Sequence, residues 1–124
     1  MAKLGKEATE GMYGIGGWKL HDPDTSDPAA KKFMADFKAK FNMDADENAA
    51  NAYSYTSWFI AGLQATGRNL TSQSFAKAMA GVPHQDFTTY TRQAFTGNHV
   101  SPELASIDQI KGGKWVQIAA PSGK

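Results

Sequence analysis

"NAYSYTSWFIAGLQATG" (residues 51–67) sets two Tyr, a Trp and a Phe among small hydroxyl residues and closes on Gly67. Ala49, Ala52, Tyr53, Thr56, Phe59, Ile60 and Leu63 recur at the helical period, which predicts a long helix with that face turned inward. Asp44 or Asp46 stands where a side chain caps such a helix, and Gly67 stands where a C-terminus favours glycine, so a helix over 46–66 is expected. Gly62 lowers helix propensity by about 1 kcal/mol relative to Ala and points to close approach of a neighbouring element. An aromatic row at this spacing is first of all core, and Phe59, Ile60 and Leu63 are expected there. Tyr53 stands apart. A buried phenol needs a partner for its hydroxyl, and Tyr53 lies in the first half of the helix, where a cleft can open. Pattern alone still favours core over ligand contact for it.

Outward from this helix the punctuation is clear. Thr71 can cap a further helix over 71–81, with Phe75, Ala78 and Met79 inward and Gly81-Val82-Pro83 stopping it. Upstream, Asp27 then Pro28 is a helix start, and Phe33, Phe37 and Phe41 recur every four residues over 28–41 with lysines mostly on the other faces. "GMYGIGGW" (11–18) reads as a buried strand, and the polar, Pro-containing stretch after it as a loop or crossover. "DFTTYT" (86–91) is β-prone by composition. "LASIDQI" (104–110) and "KWVQIAA" (114–120) flank Gly112-Gly113, a strong hairpin signal. The order is therefore strand, three helices, then strands. One strand ahead of three helices makes a poor sheet by itself, so the chain reads as part of a larger fold.

Composition narrows the function classes. The 124 residues are 41% hydrophobic and 11% aromatic, which is globular rather than disordered. A formal net charge of +1 supplies no electrostatic footprint for nucleic acid or a membrane surface. The absence of cysteine excludes disulfides, thiol catalysis and a cysteine zinc site. No apolar run is long enough to span a bilayer, and "MAKLGKEATEG" carries lysines as a signal peptide's start does but no apolar region behind them.

Chemical motifs fail on inspection. "GIGGWK" (14–19) lacks the Gly-Lys-Ser/Thr that opens a phosphate-loop helix, and the dinucleotide pattern lacks its third Gly. "DADEN" (44–48) begins like a calcium loop, but Ala49 and Tyr55 stand where Gly and a bidentate Glu belong, so helix capping is the better reading. His21, His84 and His99 form no ligand pair on a helix and read as loop histidines. No Gly-x-Ser-x-Gly elbow marks a nucleophile among Ser54, Ser57, Ser72 and Ser74, and "NLT" (69–71) is a sequon of the kind that arises by chance. Neither catalytic residues nor a metal site nor a cofactor is indicated.

The whole chain resembles the C-terminal third of the solute-binding proteins that serve ABC importers of the branched-chain amino acid type, which are type I periplasmic binding proteins. "EGMYGIGGW", "DPAAKKFMADFKAKFN", "AYSYTSWFIAGLQATG", "SFAKAMAGV" and "IDQIKGGKW" match that family's segments in order and spacing. The resemblance implies an α/β fold, a fragment of a two-lobed binding protein in which three helices precede a C-terminal β-hairpin. It implies a strand at 11–18 in the C-terminal lobe, a crossover at 19–27, a helical part of the N-terminal lobe at 28–82, and strands within 86–120 leading to the hairpin. Carried over by position, Tyr53 matches a cleft tyrosine, and Trp18, Lys19 and His21 fall near the crossover at the cleft mouth. The implied function is non-catalytic uptake of amino acids or related organic acids, aromatic ones included, by a periplasmic protein with an ABC transporter permease as partner. The family's main ammonium- and carboxylate-binding residues come from earlier segments, so the isolated chain is expected to bind weakly and to pair as a homodimer. The rival readings are a ligand-sensing receptor domain of the same fold and a small self-contained interaction domain.

Overall fold

The computed structural model describes residues 5–17, 19, 27–95, 100–101 and 104–121. A short helix α1 (Lys6–Thr9) leads into strand β1 (Tyr13–Gly16), and helices α2 (Pro28–Phe41), α3 (Glu47–Thr66) and α4 (Ser72–Met79) follow. Strands β2 (Ser106–Lys111) and β3 (Lys114–Ala119) close the chain, and the sheet order β1-β2-β3 is antiparallel throughout. The three expected helices and the hairpin stand where the capping signals place them. The first strand is shorter than the 11–18 read from composition and is not the buried strand expected there, since Tyr13 and Ile15 are exposed along a sheet edge formed by β1.

The caps explain the boundaries. Asp27 accepts hydrogen bonds from the amides of Ala29 and Ala30 at 2.8 and 3.3 Å, with Pro28 as the first helical residue of α2. Asp46, rather than Asp44, caps α3 by accepting from the Ala49 amide at 2.8 Å. Asp44 instead receives the Lys38 ammonium at 2.6 Å. Thr71 and Ser74 form a reciprocal capping box at the start of α4. In the hairpin, Gly112 and Gly113 take φ of 61° and 78°, a backbone that a tight antiparallel turn requires and other residues resist. The Glu10 carboxylate accepts from both glycine amides at 3.0 and 3.3 Å, tying the turn to the segment before β1. Nothing in the hairpin sequence announces that contact.

Two further expectations are corrected. The inward face of α3 is Ala50, Ser54, Trp58 and Gly62, whereas Phe59 and Ile60 stay 51% and 48% exposed and Leu63 is half-buried. Apolar and polar residues are spread around this helix with little segregation, so hydropathy does not select a side, and specific contacts do. The Trp58 indole N–H donates to the Val82 carbonyl at 2.6 Å, and its ring stacks on Phe95 and His84 at centroid distances of 4.6 and 5.8 Å. The second correction concerns 86–91, which runs as turn and bend rather than strand. Asp86 accepts from the Thr88 amide at 2.7 Å, and the Thr89 amide donates to the Asp86 carbonyl at 3.3 Å. Local bonds of this kind compete with a sheet ladder and override β propensity. A pair of backbone bonds between His84 and Gln93, at 2.8 and 2.7 Å, closes the loop at its base.

Gly62 fulfils the expectation of close approach. A Cβ there would collide with Met79 Sδ and lie 3.0 Å from a Phe75 ring carbon, because α4 packs directly on this point of α3. Gly62→Ala is therefore expected to destabilise the chain in urea denaturation. Overpacking of about 1–3 kcal/mol outweighs the roughly 1 kcal/mol of added helix propensity. A gain in stability would show that α4 does not pack there.

Candidate functional site

The site begins with the phenylalanine stripe of α2. Phe33 meets Tyr53 of α3 at a centroid distance of 5.0 Å, and Phe87 from the 86–89 turn closes a triangle at 5.4 Å from Tyr53 and 5.6 Å from Phe33. All three pairs are tilted, the arrangement that places positive ring edges against negative faces. Phe37 and Phe41 extend the row along α2, with centroid distances of 5.9 and 4.6 Å between successive rings. Together these rings line an open groove of about 400 Å³. Its rim carries Lys32, Asp36 and Lys40. Lys32 donates to Asp36 at 2.5 Å, and that bond together with the carboxylate charge raises the Lys32 pKa above its ordinary value. Both partners are largely exposed, so the pair organises the rim more than it stabilises the fold.

Tyr53 is 45% exposed, so it is neither a buried core tyrosine nor a free surface one. Its ring is a wall of the groove. Lys19 reaches the same turn through its backbone, its amide donating to the Thr88 carbonyl at 2.8 Å. Trp18 and His21, the other two residues nominated from the sequence, lie outside the described residues. Phe33 and Phe87 were not singled out for a site: one reads as helix core and the other as part of a β-prone run. Only their positions after folding bring them to Tyr53.

Behind the turn lies a buried polar cluster. Asp86 Oδ1 accepts from the Thr88 amide and hydroxyl at 2.7 and 2.5 Å, and Oδ2 accepts from His84 Nε2 at 3.1 Å. The same Nε2 lies 2.9 Å from the fully buried Ser54 hydroxyl. A carboxylate can only accept, so Nε2 carries its proton. Ser, His and Asp thus converge, but not as a nucleophilic relay. In a relay the acid orients one ring nitrogen while the other takes the serine proton; here both partners address one nitrogen, and Ser54 is sealed from any substrate. Burial pushes the Asp86 carboxyl up, but the bonds from Thr88, Ser54 and His84 outweigh it and leave its pKa below the usual value. Among the described residues no three metal-ligating side chains converge, and no helix is long and apolar enough to cross a membrane.

Residues 1–114 match the periplasmic binding protein family, and the chain belongs to it. Similar solved structures carry the same fold. A solute-binding protein of an ABC transporter from R. palustris, in complex with benzoate, is 20% identical with a TM-score of 0.70, covering 92% of this chain and 31% of its own. A periplasmic binding protein from Burkholderia mallei is 17% identical with a TM-score of 0.77, covering 95% of this chain and 32% of its own. A substrate-binding protein of an ABC transporter from Desulfitobacterium hafniense, in complex with Leu, is 16% identical with a TM-score of 0.69, covering 90% and 32%. The chain spans about a third of the length of these proteins. No curated protein matches it.

The lowered Asp86 pKa has a signed consequence. A carboxyl whose folded pKa lies below its unfolded one contributes stability above the unfolded value, near pH 4, and loses it as pH falls through the folded value. Asp86→Asn should lower stability at pH 6 by about 1–3 kcal/mol, the usual cost of disrupting a buried charged hydrogen-bond acceptor. It should also flatten the decline of urea-unfolding stability between pH 5 and pH 2, both values bracketing the carboxylate range. An unchanged acid slope would show that the cluster does not carry that dependence.

Proposed function

We propose that this chain is part of the substrate-binding component of an ABC importer, and that the groove around Tyr53 is one wall of its ligand cleft. The observation that carries the reading is the ring triangle of Tyr53, Phe33 and Phe87 facing an open groove with lysines at its rim. A volume of about 400 Å³ falls within the usual range for small-molecule sites. Rings on the wall favour a flat or branched apolar body, and Lys40, the rim lysine not paired with Asp36, favours a carboxylate beside it. Amino acids and aromatic acids both fit that description, aromatic acids better. Family membership and the shared fold of benzoate- and Leu-bound proteins support the same direction.

In this reading β1 and the β2–β3 hairpin belong to the C-terminal lobe, 19–27 is a crossover, and the helices of 28–82 belong to the N-terminal lobe. Lys19 would stand at the cleft mouth, where the family resemblance also assigns Trp18 and His21. The opposing wall comes from the length that the relatives have beyond this segment. The protein works outside the cytoplasm without catalysis and delivers its ligand to a membrane permease. Apolar side chains on the outer sheet face are consistent with surfaces covered in a larger assembly; Ile15 alone is 80% exposed. So is a total accessible surface of 8694 Å², against about 6,500 Å² for a compact monomer of this mass. In isolation those faces would pair two copies of the chain.

A single wall gives weak, localised binding. Titration of the isotope-labelled chain with sodium benzoate and with L-leucine should shift the Tyr53, Phe33 and Phe87 ring resonances at millimolar concentration, benzoate more than leucine. Tyr53→Phe should preserve the effect and Tyr53→Ala should abolish it. Shifts confined to other surfaces, or equal shifts in Tyr53→Ala, would contradict the assignment of the wall.

A further inference from the structure

Phe87 reaches Tyr53 from a turn, not from a helix, so something must fix that turn. Its ring contacts include the two rings of the groove, Phe33 and Tyr53. Three hydrogen bonds of this loop meet at one side chain. Asp86 gathers the Thr88 amide and hydroxyl through Oδ1 and the His84 ring through Oδ2. His84 in turn meets Ser54, one residue after Tyr53 on α3. Thr88 is fully buried and its carbonyl holds the Lys19 amide. The chain of contacts therefore runs from α3 at Ser54, through His84 and Asp86, to Thr88 and Lys19, with Phe87 carried between them.

We propose that Asp86 is the positioning residue of this groove: its carboxylate holds the 86–89 turn in the shape that sets Phe87 against Tyr53 and Phe33. The consequence for ligand rests on the reading of the groove as a cleft wall; the positioning itself does not. A turn held by a buried acceptor sets the width of the groove without touching what lies in it. Residues facing Asp86 are His84 from its own loop, the Ser54 hydroxyl from α3, and Thr88 and Thr89 within the turn. His84 is the one titratable group among them, and Lys19 approaches through its backbone amide. When Asp86 is neutralised, Oδ2 loses its charged bond to His84, the turn's anchor is weakened, and the Phe87 ring spends less of its time in the triangle.

The test needs no ligand for its first arm. In the wild-type chain at pH 6.5, nuclear Overhauser cross-peaks should join the Phe87 ring to the Tyr53 and Phe33 rings. In Asp86→Ala they should vanish while far-ultraviolet circular dichroism retains the helix signal. Asp86→Asn keeps an oxygen that accepts from Thr88 and should retain them at reduced intensity. Wild-type cross-peaks should also fade on acidification through the Asp86 titration, before the helix signal is lost. If Asp86→Ala does not fold, Asp86→Asn and the acid titration decide. Full-intensity cross-peaks in either variant, or their persistence until the acid-unfolded state, would overturn the proposal. A second arm repeats the benzoate titration. If wild type shows no ring shifts with benzoate, the cleft-wall reading fails while the first arm still decides the positioning role. If it does respond, Asp86→Asn should bind benzoate at least several-fold more weakly, and equal affinity would overturn the link between turn and groove.

Discussion

The bond from the Trp58 indole to the Val82 carbonyl, 2.6 Å long, decides how α3 sits and thereby what every other part of the site faces. Trp58 is nearly fully buried, and its ring lies flat between His84 and Phe95. A helix whose apolar side chains are spread around it has several acceptable orientations by burial alone. A directional donor in a water-excluded place has few, because an unmet indole N–H costs about 1–3 kcal/mol once buried. With Trp58 inward, Ser54 one turn before it points at His84, and Gly62 one turn after it receives α4. Tyr53 is then left at the edge, half in and half out. That is the posture of a wall residue.

The inward side is unusually polar for a small fold. Ser54, Thr88, Thr89, Gln93 and Ser106 are the largest of its fully buried side chains. Such groups stabilise a fold only when paired; Ser54 pairs with His84 and Thr88 with Asp86 across the loop from 82 to 95, whose base is closed by the backbone bonds of His84 and Gln93. The loop is thus held by geometry rather than by bulk. Phe87, at its tip, inherits a fixed position without being buried by its own size. An aromatic triangle of partly exposed rings would otherwise collapse inward or swing into solvent.

How much of this was legible follows from which signals are local. The caps at Asp27, Asp46 and Thr71 and the Gly112-Gly113 turn are properties of four or five neighbouring residues, and they stand in the sequence as they do in the structure. The buried face of α3 was not legible, because Phe59 and Ile60 outrank Ser54 and Gly62 on any hydropathy scale while the partners that bury Ser54 and Gly62 come from distant parts of the chain. In 86–91 the composition of Thr, Phe and Tyr favours a strand, whereas one aspartate bonding two residues ahead redirects the backbone into a turn. For the site, Tyr53 was singled out by its place on the helix and by family resemblance. Phe33 and Phe87 became legible only once α2 and the turn were set beside it. The pair His84 and Asp86, two residues apart in "HQD", was the one local hint of the cluster behind them.

The central claim is that α3 is pinned through Trp58, with Ala50, Ser54 and Gly62 inward beside it and Tyr53 at the groove. Hydrogen exchange of the Trp58 indole N–H reads that directly. The account predicts exchange in deuterated buffer at least about 100-fold slower than for a free indole, the protection expected of a buried bond that opens only with local unfolding. Exchange at the rate of an exposed indole, in a chain whose helix signal is intact, would mean that Trp58 is not held at Val82. The orientation of α3, and the wall built on it, would then be wrong.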